Sequence, residues 1–244
     1  MRSLSTGELL DVWERGLDQG PVERALGLLT AASPDIPEGT LAGIPIGERD
    51  GRLLSLREQV FGPDLETVAR CPACSELLET TLRVSDLRVS PGTDPAPLSP
   101  LESGGYSVRF RLPDSRDLIA IAGLEDVSAA KNILLDRCIV EASKGAADVM
   151  SHELPGEVLD AVLEGMEASD PQADIRLNLT CPSCGHNWQE HFDILSFFWD
   201  EIDNWANHTL GEVHALAMAY GWSESEILSL SIIRRQMYLE KVVE

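Results

Sequence analysis

Two hydrophobic periods alternate along this 244-residue chain. Near the start the spacing is helical. Leu9, Leu10, Trp13 and Leu17 fall on one face, and after Pro21 so do Ala25, Leu26 and Leu29. This predicts two short helices over residues 4–30, the second opened by its proline. Pro34, Pro37 and Pro45 then predict an extended or looped arm over 31–52, with a short helix over 53–61. Farther on the period drops to two. Leu78, Thr80, Leu82 and Val84 alternate with other residues, and Ile175, Leu177 and Leu179 alternate with Arg176, Asn178 and Thr180. Trp188, Glu190, Phe192 and Ile194 continue the second pattern, which predicts β-hairpins over about 64–88 and 174–194. Between them, residues 90–105 read as a flexible connection and 106–112 as a half-buried strand ended by Pro113. A helix capped by Ser115 and a longer one over 127–143 follow. Next comes a helix from Pro155 with Val158, Leu159, Val162, Leu163 and Met166 inward. Helices over 195–206, 209–220, 223–230 and 232–243 finish the chain. Thr209 with Glu212 and Ser223 with Glu226 read as capping boxes.

The turns of the two hairpins carry the chemistry. Four of the five cysteines form matched pairs, Cys71-Pro72-Ala73-Cys74 and Cys181-Pro182-Ser183-Cys184. Two residues between cysteines let one tight turn point both sulfurs at one ion, and zinc takes four thiolates in a tetrahedron. Proline after the first cysteine starts that turn. Gly185 supplies the positive φ that often follows it; Ser75 stands at the equivalent place in the first pair and predicts some strain there. An odd total without a signal-type leader argues against a secreted disulfide framework. The predicted site is one structural zinc on Cys71, Cys74, Cys181 and Cys184, a ribbon split by the 106 residues between its halves. Loop closure adds only about 0.6 kcal/mol per doubling of length, so the separation is no obstacle. Three readings stand beside it: a redox C-x-x-C, a catalytic zinc with an open position, and two separate sites completed by His186, His191 or another chain. Cys138, among Ile133 and Leu134, reads as a buried small hydrophobe.

Charge narrows the partners. There are 19 Lys plus Arg against 41 Asp plus Glu, a net charge of −22. From 145 to 233 one base, Arg176, faces 16 acids, so this stretch alone carries −15. Nucleic-acid binding needs cations to neutralise phosphates, which this half does not supply. The acidic surface reads first as a solvated face and second as a face for a basic protein. No apolar run approaches the roughly 18 residues of a membrane span. The five histidines form no metalloprotease motif and no nucleophile elbow is present, so no enzyme and no small-molecule substrate is indicated. Phe197, Phe198, Trp199, Ile202 and Trp205 give a wide apolar helix face, read mainly as core. Trp199, Trp205, Trp222 and Tyr238 are the candidate partner anchors wherever they are exposed. Arg234 and Arg235 read either as complements to the acidic half or as partner contacts.

Three stretches carry a likeness. They are Val108-Arg109-Phe110-Arg111-Leu112-Pro113-Asp114-Ser115-Arg116-Asp117-Leu118, the hairpin with Cys181 and Cys184, and residues 217–228 followed by Arg234, Arg235 and Tyr238. In this order they resemble the baseplate or baseplate-hub assembly proteins of T-even-type contractile-tailed phages and related contractile injection systems. The likeness spans roughly 106–244. It implies a non-enzymatic structural component or assembly chaperone. Its partners would be other baseplate or tail proteins, and its place the cytoplasm of a bacterial host during assembly or the finished particle. A cytosolic zinc-ribbon adaptor is the alternative. The expected fold is α+β, a split four-cysteine zinc ribbon joined to a mainly helical body. Its expected organisation is helices and an arm over 1–63, the ribbon over 64–88 plus 174–194, an insertion over 89–173 and a helical segment over 195–244.

Overall fold

Capping chemistry sets where the helices begin. In the computed structural model, which describes residues 1–89 and 98–242, the Ser5 hydroxyl accepts from the Glu8 N–H and Glu8 accepts from the Ser5 N–H. This capping box starts α1, Thr6–Gly16, and Pro21 starts α2, Pro21–Ala32. Two more helices follow prolines: α3, Glu38–Ala42, and α4, Ile46–Phe61. The arm expected over 31–52 is therefore partly helical. Pro37 and Pro45 sit just ahead of the first turn, where a missing N–H breaks no helical bond. The inner face of α4 also carries Arg49, Asp50 and Arg57 among its leucines, so hydrophobic periodicity hides it.

Strand β1, Asp64–Arg70, pairs antiparallel with β2, Leu77–Arg83, and the short α5, Val84–Leu87, follows. Strand β3, Ser99–Ser103, meets β4, Tyr106–Phe110, through Gly104 and Gly105, both at positive φ. Such a two-residue turn follows the right-handed twist of the strands it joins. Residues 99–103, expected as part of a flexible connection, are thus a strand; 90–97 lie outside the described residues. Next come α6, Ser115–Ile121, and α7, Val127–Cys138. The helix expected to reach 143 ends at Cys138, because Ile139 and Val140 open β5, Ile139–Lys144, which pairs with β4. With β6, Ala147–Asp148, the sheet order is β3-β4-β5-β6. Asp114 caps α6, accepting from the Arg116 and Asp117 N–H groups, whereas Ser115, the expected cap, lies one position inside. After α8, Gly156–Ser169, the second hairpin pairs β7, Ile175–Thr180, with β8, Asn187–Phe192.

The chain closes with α9, Ile194–Tyr220, α10, Glu224–Leu228, and α11, Ile232–Val242. One helix, α9, replaces the two expected over 195–220. Thr209 lies inside it and is buried. Glu212, its expected capping partner, is instead engaged by Arg235 Nε at 2.7 Å and His208 Nε2 at 3.2 Å. Within this polar stretch the Asn204 and Asn207 amides donate to the Asp200 and Asp203 carbonyls one turn back.

The result is a mixed helix and sheet protein, 56% of its described residues helical, with two compact units. Unit 1 comprises 1–33 and 195–244. Within it Trp13 Nε1 donates to Asp203 Oδ1 at 2.8 Å, joining α1 to α9. A second cluster forms where Val213, Leu216 and Ile227 pack with Trp222 and Tyr238. Unit 2, residues 34–194, packs α7 and α8 on the four-stranded sheet around Val108, Phe110, Leu135, Cys138, Val158 and Val162. Cys138 is fully buried there, as the sequence suggested.

Candidate metal centre

Both C-P-x-C turns close with the same backbone bonds. In the first, the Ser75 N–H donates to the Cys71 carbonyl and the Cys71 N–H to the Glu76 carbonyl, each at 2.9 Å. In the second, the Gly185 N–H donates to Cys181 and the Cys181 N–H to His186, again at 2.9 Å. The residue after each pair adopts positive φ, 63° at Ser75 and 73° at Gly185. Ser75 is the sole non-glycine with positive φ among the described residues.

The four thiol sulfurs of Cys71, Cys74, Cys181 and Cys184 lie within 4.8 Å of one another. The closest approaches cross between hairpins, 3.7 Å from Cys71 to Cys184 and 3.6 Å from Cys74 to Cys181. Sulfurs about 2.3 Å from a tetrahedral ion stand about 3.8 Å apart, whereas a disulfide brings them to about 2.05 Å. The spacing is compatible with a metal ion at the centre. Cys71 and Cys181 are buried, while Cys74 and Cys184 face outward. The thiol electrostatics point the same way. Burial works to raise Cys71, but the N–H groups of Cys74 and Ala73 and the thiols of Cys74 and Cys181 overcome it and bring it down to about 7. The Glu76 N–H works to lower Cys74, yet its neighbours' thiols and burial push it up to about 12. The Cys71 thiolate therefore forms readily while Cys74 resists; a central cation would favour both as thiolates.

The rival readings find less support. β2 and β8 follow the pairs, so neither pair opens a helix of the kind that activates a redox thiol. His191 Nδ1 lies 2.9 Å from Asp174 and His186 stacks on Trp188, and neither histidine belongs to the thiol cluster. A second tie sits at the hairpin roots. Gln172, just ahead of β7, accepts from the Val89 N–H at 2.7 Å and donates to the Leu87 carbonyl at 3.1 Å, just beyond β2.

The candidate anchors are distributed unevenly. Trp199 is 7% exposed; its ring lies under the Arg24 guanidinium at 4.5 Å and so close to Gly16 that a Cβ there would overlap it. It belongs to the interior of unit 1. Trp205 is half-buried. Trp222 and Tyr238, also half-buried, meet edge-on at 4.9 Å, and Tyr220 stacks on Trp222 at 4.7 Å. Arg235 is buried on Glu212 and Arg234 is exposed, so only the first is settled as a complement to an acid.

One polar node escaped the sequence reading. Asp117, fully buried, takes two bonds from the Arg111 guanidinium, one from Arg137 Nε at 2.7 Å and one from the Asp114 N–H at 2.9 Å. Burial works to raise its carboxyl, but these donors hold it well below the ordinary carboxylate range. The node joins the end of β4 to α6 and α7. Its residues Arg111, Asp114 and Asp117 fall in one of the stretches that carry the likeness. The mixture of two acids and two arginines over 111–117 was the available signal, but pairing with Arg137 required the fold.

Fold and cluster together define a mixed helix and sheet protein with a four-thiol centre compatible with a metal ion. Among the described residues no helix is long and apolar enough to cross a membrane. The family model described as T4 bacteriophage base plate protein matches residues 28–199, and the chain belongs to that family. The match begins well ahead of the likeness read at 106 and ends before residues 217–228. No curated protein and no solved structure matches the chain.

Proposed function

We propose that this chain is a non-enzymatic structural component of a phage-type contractile-tail baseplate, with one structural zinc holding its two hairpins together. Family membership over 28–199 carries the baseplate role. The convergence of four thiols at tetrahedral spacing supports the zinc, whose ligands would be Cys71, Cys74, Cys181 and Cys184. The closed donor set favours a structural rather than a catalytic ion, since four thiolates leave no position for water. The ion would supply folding energy, on the order of 10 kcal/mol in isolated zinc peptides. The split-ribbon organisation, two knuckle hairpins clasping the segment between them, follows from the same reading.

The partners in this reading are other baseplate or tail proteins. The acid excess over 145–233 favours protein partners over nucleic acid. Trp205, Trp222 and Tyr238 remain the aromatic candidates for such contacts, with Trp199 assigned to the core. Deleting the gene from its cluster and imaging the particles tests the role. Missing or malformed baseplates are expected; complete, contractile particles would overturn it.

A further inference from the structure

The last helix has a second face that is exposed among the described residues. Arg235, Tyr238 and Leu239 turn α11 toward unit 1, where Arg235 pairs with Glu212 and the other two join the Leu216 and Ile227 cluster. On the opposite side Ile233, Met237 and Lys241 follow one another at four-residue spacing and form one stripe, with Arg234 beside it. Ile233 is 74% exposed and Met237 56%. An apolar stripe this open on a soluble helix marks a contact surface. Its chemistry is specific, apolar in the middle and cationic at the flank. Beyond residue 144 the chain has only four bases, and three of them, Arg234, Arg235 and Lys241, lie in α11.

The complementary shape lies elsewhere in unit 1. An open groove of about 520 Å³ runs between α1 and the start of α10, lined by Gly7, Leu10, Asp11, Ser223, Glu224 and Leu228. Leu10 and Leu228 make an apolar floor, and the exposed Asp11 and Glu224 make an acidic rim. A Cβ at Gly7 would meet nothing within 4 Å, so that side of the groove is open to an incoming side chain.

We propose that this chain self-associates, the Ile233–Met237–Lys241 stripe of one copy docking in the α1–α10 groove of a second. Apolar side chains meet the leucine floor, and Arg234 and Lys241 meet Asp11 and Glu224 at the rim. The pairing weakens as salt rises, because the rim charges are exposed and screened.

The test is sedimentation equilibrium of the full-length protein, with its metal retained, at low and high salt. At low salt the mass is expected to exceed the 26.6 kDa of one chain, with association weakening as salt rises. The stripe variant Ile233→Asp with Met237→Asp and the groove variant Asp11→Lys with Glu224→Lys change exposed side chains. Each should keep its circular dichroism spectrum and associate about thirtyfold more weakly or worse, as for loss of interface hot spots. Mixing the two variants should restore pairs, because one retains a working stripe and the other a working groove. A wild-type protein that stays monomeric at every salt, variants that associate like wild type, or a mixture that stays monomeric would each overturn the proposal. So would a monomer whose stripe binds a different purified tail protein.

Discussion

The hairpins β1–β2 and β7–β8 repeat one design with different residues. Both close their knuckles with the same two backbone bonds, and both present one buried and one outward thiol. They differ at the neck. Arg70 Nη1 donates to the Ser75 carbonyl in the first, whereas Thr180 Oγ1 donates to Asn187 in the second. They differ also after the second cysteine, serine against glycine, and in their roots. Asp193 follows β8 and adds to the acid environment of buried Asp50, while the root of the first hairpin carries an exposed Arg83–Asp64 pair at 3.6 Å. The difference teaches that C-P-x-C spacing and strand pairing fix the knuckle, and that the flanking side chains adjust its energy without changing its shape.

Removing one thiol should erase the comparison altogether. A shared ion makes the hairpins interdependent, so Cys181→Ser is expected to release metal and loosen β1–β2 as much as β7–β8. Cys71→Ser should do the same from the other side. The energetic loss should exceed that of any root or turn substitution, up to the order of 10 kcal/mol seen for structural zinc in peptides. Cys138→Ala, which leaves the cluster intact, should retain the metal. Metal analysis with hydrogen exchange on both hairpins reads the outcome. Zero or two zinc ions per chain, or loosening confined to the mutated hairpin, would refute a shared site.

Acidity should distinguish the two roots. Burial pushes the Asp50 carboxyl up from 3.8 to about 6, with Arg49 opposing and Asp193 and Asp170 adding to the rise. Between those values the folded protein holds a proton that the unfolded chain has released. Stability should therefore fall as pH rises from about 4 to about 6, by roughly 3 kcal/mol, and this contribution should level off above that. Asp117 acts lower and in the opposite sense. Its depressed carboxyl stabilises the fold fully above the ordinary aspartate range and loses that contribution as pH falls below it. Urea unfolding of wild type and Asp50→Asn across pH 4–7 isolates the first effect. The difference between the curves should slope through the Asp50 window; parallel curves would contradict the assignment.

The tie at the roots should matter less than the one at the tips. Gln172→Ala removes one bond to Val89 and one to Leu87 from a half-buried side chain. A loss of about 1–2 kcal/mol is expected, with metal content unchanged. If Gln172→Ala releases the metal, the roots and not the cysteines hold the hairpins in register.

The hairpins were legible in the sequence because period-two patterning flanks a spacing with few meanings. The helices α1, α2 and α8 were legible for a similar reason, since their apolar positions recur at helical spacing. What stayed hidden has physical causes. Strand β3 is five residues long, mostly polar and half-exposed, so it carries no alternating apolar signal. The inner face of α4 uses Arg49 against Asp50 at 2.8 Å and Ser115 at 3.3 Å, where periodicity looks for leucine. Convergence of the four sulfurs to within 4.8 Å was an inference from pairing alone, and only the fold supplies the distances. The stripe on α11 is not legible from the sequence, because Ile233 and Met237 at i and i+4 look the same as core positions.

The smallest effect is the sharpest test of the comparison, because it exchanges the residue at which the knuckles differ in backbone freedom. Ser75 holds φ 63° against the steric cost of its Cβ, whereas Gly185 holds φ 73° without one. A left-handed conformation costs a non-glycine residue roughly 1–2 kcal/mol, and glycine gives back about 0.5–1 kcal/mol in lost chain freedom. Ser75→Gly should therefore stabilise the protein by under about 1 kcal/mol, and Gly185→Ser should destabilise it by a similar amount. A Cβ at Gly185 meets nothing within 4 Å, so the second effect is backbone strain and not a clash. Both variants should keep their metal. Thermal unfolding with the metal bound should move the two midpoints in opposite directions, and the double variant should return close to wild type. If both shifts have the same sign, backbone strain at this position does not account for them, and the shared design at the two turns fails.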